Sequence, residues 1–166
     1  TYNEGFKVDN SFANFFSTTS FNGYRESTQA LAIPFAVDSR KRIVELELGG
    51  ALTAHALISG STGSGKSTTL HMLITSIILN YHPDDVELWL VDYNKVEFAE
   101  YLSNMPPHVK LIGLERGTEF TFSLLSKVNE ECQRRMELFK QVGVSNITEY
   151  KRKFGVRSLP RIILII

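Results

Sequence analysis

A run of nine residues has the spacing best suited to chemistry in this chain. Residues 60–68 read Gly-Ser-Thr-Gly-Ser-Gly-Lys-Ser-Thr, which gives Gly, four residues, Gly, Lys and Ser in the order of a phosphate-binding loop. Glycines let main-chain N–H groups turn inward around an anion. The helix that follows would present its positive N-terminal end to the same anion. The spacing therefore predicts a site for the phosphates of a nucleoside triphosphate.

The side chains of this loop have separate expected roles. Lys66 would reach the β- and γ-phosphates and act as a catalytic group, and Ser67 would offer its hydroxyl to Mg²⁺. A chance match to this spacing in 166 residues is on the order of 1 in 100, so a glycine turn without a ligand is the weaker alternative. The residues expected to line the bound nucleotide are Gly60, Thr62, Gly63, Ser64, Gly65, Lys66, Ser67 and Thr68.

The sequence around the loop predicts a strand before it and a helix after it. Residues 56–58 are Ala-Leu-Ile, which suits a short buried strand over 54–59. A helix is predicted over 65–80, because apolar residues recur there at helical spacing. Those residues are Leu70, Leu73, Ile74, Ile77 and Ile78. Strand, glycine loop and helix are the context that a phosphate loop requires.

The rest of the chain alternates strands with helices. This pattern predicts an α/β fold, a three-layer sandwich with a mostly parallel sheet, extended at its N-terminal side by a β-hairpin. Residues 1–28 form a separate N-terminal segment, and residues 29–166 form the main domain. The predicted strands are 30–37 and 43–48 in the hairpin, then 86–91, 110–113 and 162–166. The predicted helices, besides 65–80, are 12–16, 95–102, 120–141 and 146–154.

Composition is that of a globular protein, with 43% hydrophobic and 22% charged residues. The single Cys132 excludes an internal disulfide framework, which favours a reducing, cytoplasmic setting. No apolar run approaches the roughly 18 residues of a membrane helix. The chain starts at Thr1 without Met, so we expect it to be part of a longer protein, whose membrane anchor, if it has one, would lie elsewhere.

Charge is balanced overall but unevenly spread. Residues 1–109 hold 7 basic and 12 acidic residues, and residues 110–166 hold 11 and 6. The basic last third could face a polyanion, but a solvated face is the more common explanation of such a bias. The same two readings apply to the short basic run 151–153.

Three further features have both a functional and a structural reading. Asp92 ends a predicted parallel strand, where ligands bind in α/β sheets, so it is a candidate catalytic group contacting Mg²⁺ or water; a turn or helix-cap aspartate is the alternative. Arg134 and Arg135 could stabilise phosphate charge across a subunit interface, or pair with nearby glutamates. Cys132 lies on the apolar side of its predicted helix and is expected in the core.

Several motifs together resemble the motor domain of FtsK/SpoIIIE-type ATPases. The resemblance covers about the last two-thirds of the chain. It rests on the loop 60–68, Val91-Asp92, Glu97, the Arg-Arg-Met-Glu-Leu-Phe run 134–139, the Gly-Val-Ser-Asn-Ile-Thr-Glu-Tyr run 143–150, and Leu-Pro-Arg followed by five apolar residues at 159–166. It implies a RecA-like P-loop fold, ATP and Mg²⁺ as cofactors, and a ring, probable as a hexamer in that family, with nucleotide between subunits.

Two branches of that family fit, and they imply different cargoes. One translocates double-stranded DNA, and the other drives type VII protein secretion. The DNA branch usually has Asp-Pro-Lys after the second core strand, and the secretion branch often has Asp-Tyr-Lys. This chain has Asp92-Tyr93-Asn94-Lys95, which departs from both. Our first expectation is coupling of ATP hydrolysis to movement of double-stranded DNA, with a secreted protein as the alternative cargo.

The last apolar run resembles the strand that leads to the acidic Walker B residues. Such an acid holds Mg²⁺ or orients water in P-loop ATPases. We therefore expect the acid and the catalytic glutamate to follow residue 166, and we expect this chain to bind nucleotide but hydrolyse it poorly. A ring module that binds ATP without hydrolysis is a further alternative.

Overall fold

The structure, a computed structural model, describes residues 12–18, 23–50 and 53–166. The chain divides into two units, one ending at Tyr81 and the other running from His82 to Ile166. The predicted N-terminal segment lies mostly outside the described residues, and so does Phe21. Within the described ranges, no helix has both the length and the apolar character needed to cross a membrane.

The first unit contains the predicted hairpin and two helices. Helix α1 is Phe12–Thr18, strand β1 is Leu31–Val37, strand β2 is Ile43–Leu48, and helix α2 is Lys66–Asn80. The two strands pair antiparallel, with Leu31 opposite Leu48 and Val37 opposite Ile43. The predicted hairpin and the helix after the loop are thus confirmed to within one residue at each end.

A polar turn joins the strands of the hairpin. The Asp38 carboxylate accepts hydrogen bonds from the main-chain N–H groups of Arg40 (2.8 Å) and Arg42 (2.9 Å) and from the Arg42 side chain. Lys41 adopts a left-handed conformation with φ 60°. An aspartate that accepts from main-chain N–H groups two and four residues later is a common turn former.

Strand β1 is the centre of packing in the first unit, since both α1 and α2 contact it. The Tyr81 hydroxyl, just after α2, accepts a hydrogen bond from the Ala32 N–H at 2.8 Å and lies 3.1 Å from the Ala32 carbonyl. This contact fixes the end of α2 on the hairpin. The buried apolar residues of this unit are Phe15, Leu31, Ile33, Met72, Leu73, Ile74, Ile77 and Tyr81.

The strand predicted over 54–59 is wrong. Residues 55–61 are irregular, and neither described sheet includes them. Leu57 is 93% exposed. A strand needs a hydrogen-bonded neighbour, and a three-residue apolar run is too short to specify one by its pattern alone.

The second unit is a parallel sheet with three helices. Its strands are β3 (Val86–Val91), β4 (Val109–Gly113) and β5 (Arg161–Ile165), in the order β4-β3-β5. Both neighbours of β3 run parallel to it. Central β3 is buried at every position except Glu87, as expected for a parallel strand covered on both faces. Trp89 is buried in this strand, and its indole N–H donates to Glu87 at 2.6 Å.

The helices of the second unit are α3 (Glu100–Ser103), α4 (Thr118–Val142) and α5 (Ile147–Phe154). Helices α4 and α5 begin and end within two residues of the prediction. Helix α3 has four residues, where the sequence predicted a helix over 95–102. The earlier residues form turns instead, because Asp92 binds their main-chain N–H groups.

Helix α4 buries much less than its apolar pattern predicts. Leu124 is its one buried residue among those described, while Met136 is 54% exposed and Cys132 is exposed. The core position predicted for Cys132 is therefore wrong. A 25-residue helix is about 37 Å long, roughly twice the length of the five- and six-residue strands, so much of it extends past the sheet elements.

An ion pair between Lys151 and Asp85 is fully buried, with 0% and 2% of the two side chains exposed. The Lys151 ammonium contacts the Asp85 carboxylate and also donates to the carbonyls of Val156 (2.8 Å) and Asp85 (3.2 Å). Burial lowers the pKa of Lys151, and the nearby Asp85 charge opposes that shift. Solvation of the basic run is wrong for Lys151 and correct for Arg152 and Lys153, which are exposed.

Replacing Lys151 should destabilise the second unit strongly. In Lys151→Ala, the Asp85 carboxylate would stay buried without its cation, which costs about 3–5 kcal/mol. Arg152→Ala, one position along and exposed, should change stability by less than about 0.5 kcal/mol. Urea unfolding of both variants measures the difference. Equal stabilities would contradict a structural role for the buried pair.

Candidate functional site: the phosphate loop and the Asp92 turn

The loop before α2 depends on two glycines in the left-handed region. Gly63 has φ 79° and Gly65 has φ 91°. A side chain at either position would be strained, because L residues with a Cβ rarely adopt these angles. Residues 60–65 are all exposed, and α2 begins directly after Gly65. The loop therefore delivers the positive end of a 15-residue helix to the surface.

Lys66 folds back into its own loop. Its ammonium group donates to the carbonyl oxygens of Gly60 at 2.6 Å and Ser61 at 2.9 Å. The Ser64 N–H donates to the same Ser61 carbonyl at 3.1 Å. These bonds close the loop around the lysine. A Cβ at Gly60 would overlap the Ser64 hydroxyl, so this curvature requires glycine there.

The first turn of α2 supplies the remaining groups. Ser67 is half-buried beside Lys66, and Thr68 is exposed. The Thr69 hydroxyl donates to the Gly65 carbonyl at 3.0 Å, and the Thr69 N–H donates to that carbonyl at 2.9 Å. Within the described part of the first unit, the loop thus brings together the residues predicted to bind phosphate.

This set of groups fits a nucleoside triphosphate. An ammonium group, a helix N-terminus without a side-chain cap and several loop N–H groups form a donor set suited to a polyphosphate. Mg²⁺ typically takes one or two protein oxygens together with phosphate oxygens and waters, and the Ser67 hydroxyl is a suitable protein oxygen. No group of three His, Cys, Asp or Glu residues in the described ranges could hold a metal.

Asp92 is a turn aspartate at the carboxyl end of β3. One carboxylate oxygen accepts from the N–H of Asn94, and the other accepts from Val96 and Glu97, all at 2.7 Å. The Asp92 side chain is buried, and its N–H pairs with the Gly113 carbonyl at 2.8 Å. These contacts support the structural reading of Asp92, and the catalytic assignment stays a prediction.

The pKa of Asp92 reflects two opposed effects. Burial raises the pKa of the carboxyl, but hydrogen bonds from the main-chain N–H groups of Glu97, Asn94 and Val96 lower it, and the net pKa is below the ordinary 3.8. Asp92 is therefore ionised at neutral pH. Its negative charge holds the turn that follows β3.

Arg116 contributes to this turn and was missed in the sequence. Its guanidinium group donates to the Tyr93 carbonyl and, at 2.6 Å, to the Asn94 side-chain oxygen. Arg116 lies three residues beyond the end of β4, which is next to β3 in the sheet. Adjacent parallel strands end at the same edge, so that position was the available signal.

The arginine pair on α4 binds one glutamate. Arg134 contacts both carboxylate oxygens of Glu131 at 2.7 Å, and Arg135 contacts one of them at 2.6 Å. The hydrogen bond from Arg134 and then that from Arg135 lower the pKa of Glu131 to about 2, against the effect of burial. Arg135 also donates to the Pro160 carbonyl at 2.8 Å. Pairing with a glutamate, the structural alternative for these arginines, is confirmed.

Comparison with known proteins identifies the family. The model of the FtsK/SpoIIIE family matches residues 21–162, so the chain belongs to the FtsK/SpoIIIE family. Members of this family include ATPases of two kinds, both of which are found among its relatives.

The relatives fall in both branches. The chain is 32% identical over 146 residues to the ESX secretion system protein EccC of Geobacillus thermodenitrificans, which covers 84% of this chain and 10% of the relative. It is 35% identical over 149 residues to the DNA translocase FtsK of Clostridium tetani, covering 87% of this chain and 19% of the relative. It is 31% identical over 131 residues to YukB of Bacillus subtilis, an ESX secretion system protein, covering 78% and 9%. The chain thus spans a fifth or less of these proteins.

A solved structure supports the fold. The cytoplasmic domain of the type VII secretion ATPase EccC of Thermomonospora curvata matches 95% of this chain and 20% of its own length, with a TM-score of 0.71 and 19% identity. At this identity the likeness establishes the fold alone. The chain is a mixed α/β protein with a RecA-like P-loop ATPase fold, as predicted.

Asp92→Asn should destabilise the protein at neutral pH and much less in acid. An amide keeps one acceptor oxygen but places an NH₂ group against main-chain donors, so we expect a loss of about 1–3 kcal/mol at pH 7. The folded pKa of Asp92 lies below its ordinary 3.8, so its contribution is complete above pH 3.8 and is lost as the pH falls through the folded pKa.

Urea unfolding at pH 7 and pH 3 tests this dependence. The control is Glu137→Gln on the exposed side of α4, which should be close to wild type at both pH values. A wild-type stability for Asp92→Asn at pH 7 would show that the carboxylate does not hold the turn.

Proposed function

We propose that this chain is the ATP-binding module of a motor that couples ATP hydrolysis to the movement of double-stranded DNA. The observation that carries the proposal is the loop geometry, in which Gly63 and Gly65 take left-handed angles and Lys66 lies within the loop. Membership of a family that contains DNA translocases supports the choice of reaction.

The residues of the loop would divide the binding of ATP and Mg²⁺. Lys66 exchanges the carbonyls of Gly60 and Ser61 for the β- and γ-phosphates, because a phosphate carries more negative charge than a carbonyl. The N–H groups of 63–68 bind the remaining phosphate oxygens. Mg²⁺, held in part by Ser67, would neutralise charge on the transferred phosphoryl group.

Asp92 would act as a positioning residue in this proposal. Its two oxygens accept three main-chain hydrogen bonds, so it fixes the segment 93–97 at the carboxyl edge of the sheet. Ligands of α/β proteins bind at that edge. Activation of the attacking water is assigned to acidic residues expected after residue 166.

The type VII secretion branch is the second candidate. The relatives EccC and YukB support it, as does Tyr93 after Asp92. The structure adds an observation about charge, since four basic residues of the last third make internal contacts. They are Arg134 and Arg135 with Glu131, Lys151 with Asp85, and the buried Arg161 with Thr148. The basic bias at 110–166 therefore provides less positive surface for DNA than its count implies.

Assembly into a ring, most simply a hexamer with nucleotide between subunits, is part of the proposal in either branch. The parent protein would act at the cytoplasmic side of a membrane or in the cytoplasm. These statements rest on family membership, and no partner chain is needed for the loop geometry itself.

Lys66→Ala should weaken ATP binding by about a hundredfold, since a charge-assisted phosphate contact of this kind contributes on the order of 2–3 kcal/mol. Lys110→Ala, which removes an exposed lysine from β4, should bind ATP like wild type. Titration with a fluorescent ATP analogue and Mg²⁺ measures both. Equal affinities of Lys66→Ala and wild type would contradict the proposed site.

The cargo is tested by ATPase stimulation, on a protein that carries this chain through the acidic residues expected after residue 166. Double-stranded DNA should raise the rate severalfold, and a secreted substrate peptide should leave it unchanged. Stimulation by the peptide alone would replace DNA with protein as the cargo. Nucleotide binding without hydrolysis under every condition would contradict the motor function.

A further inference from the structure

A cavity of about 370 Å³ lies within the first unit and adjoins the phosphate loop in the chain. Ser59 in its wall directly precedes Gly60, and Thr69 in its wall directly follows Thr68. The other lining residues come from the hairpin, the segment before the loop, and α2. They are Phe35, Leu46, Ala56, Leu57, Ile58 and Leu73.

The position of the cavity suits the part of a nucleotide that extends beyond its phosphates. The phosphates would occupy the loop and the first turn of α2, where the N–H groups point. Thr69 belongs to that turn and also lines the cavity. A nucleotide that leaves the loop past Thr69 would place its base against Leu73, one turn further along the helix.

The lining suits a flat aromatic ring. Six of the eight lining residues are apolar, and Phe35 from β1 adds an aromatic face. The Thr69 hydroxyl already donates to the Gly65 carbonyl at 3.0 Å. Small-molecule sites of about 300–1,000 Å³ with mostly apolar walls are typical of ligand pockets, and bases stack on aromatic side chains regardless of their identity.

Leu57 supports an occupant for this cavity. It is 93% exposed although it is a large apolar side chain, and Ile58 beside it is 36% exposed. A base lying in the cavity would remove apolar surface of this wall from water, at about 25 cal/mol for each Å² covered. The exposed wall residues and the phosphate loop thus belong to one continuous surface of the chain.

We propose that this cavity is the nucleobase subsite of the loop, formed by Phe35, Leu46, Leu57 and Leu73 and taking a purine base. This inference rests on the proposed function, since the phosphates would bring the base to the cavity. The apolar walls select a purine for its large stacking surface. Adenine is favoured over guanine, because guanine would place more polar edge groups against walls that cannot pair with them.

The test compares ATP with inorganic tripolyphosphate, which carries the phosphates without a base. Phe35→Ala should weaken ATP binding about tenfold by loss of base stacking, while tripolyphosphate binding stays at the wild-type level. Leu57→Ser should weaken ATP in the same selective way, and its exposure makes it safe for folding. Ile43→Ala is the control, since Ile43 is an exposed apolar residue of the hairpin outside the cavity lining.

The outcomes separate this subsite from the phosphate site. Loss of tripolyphosphate binding in Lys66→Ala, together with selective loss of ATP in Phe35→Ala and Leu57→Ser, supports both. Tripolyphosphate binding that is unaffected by Lys66→Ala overturns the proposed phosphate site. Equal losses of ATP and tripolyphosphate in Leu57→Ser, or wild-type ATP binding in both cavity variants, overturn the base subsite and leave the cavity as a packing gap.

Discussion

The contact of the Lys66 ammonium with the Gly60 and Ser61 carbonyls is the interaction on which the proposed function depends. These bonds, at 2.6 and 2.9 Å, hold a positive charge at the centre of an exposed loop. The left-handed angles at Gly63 and Gly65 then turn the chain into α2, whose N-terminal dipole adds to the same positive site. A loop with side chains at these glycines could not close in this way. Binding of a polyphosphate therefore requires little rearrangement beyond the exchange of carbonyl oxygens for phosphate oxygens.

Elsewhere in the described residues, charge is used mainly to hold structure. Asp92 organises the turn after β3, Glu131 binds two arginines of its own helix, and Lys151 is buried against Asp85. Each carboxylate has several donors, so its charge is compensated where it lies. The net effect is that the uneven charge of the sequence does not translate into an equally uneven surface. The phosphate loop remains the site where positive charge and exposed main-chain donors coincide.

The sequence predicted most of the fold because its patterns were long or strongly punctuated. The hairpin, β3, α4 and α5 have clear periodicity and clear breaks, and the phosphate loop was predicted from spacing alone. The strand over 54–59 failed because a strand is defined by a neighbour that periodicity does not contain. Lys151 and Arg116 failed for a related reason, since their partners Asp85 and Asn94 lie 66 and 22 residues away. Cys132 was placed in a core that the described elements do not extend to.

The most direct test of the account is the main-chain N–H resonances of residues 63–68, followed by NMR while inorganic tripolyphosphate and Mg²⁺ are added. The account requires these amides to donate to phosphate oxygens, so their proton resonances should move downfield together and saturate at one equivalent. Resonances of the Asp92 turn, whose donors are already bonded, should move much less. Unchanged resonances at 63–68 under saturating ligand, or saturation of shifts in another part of the chain alone, would contradict the central claim.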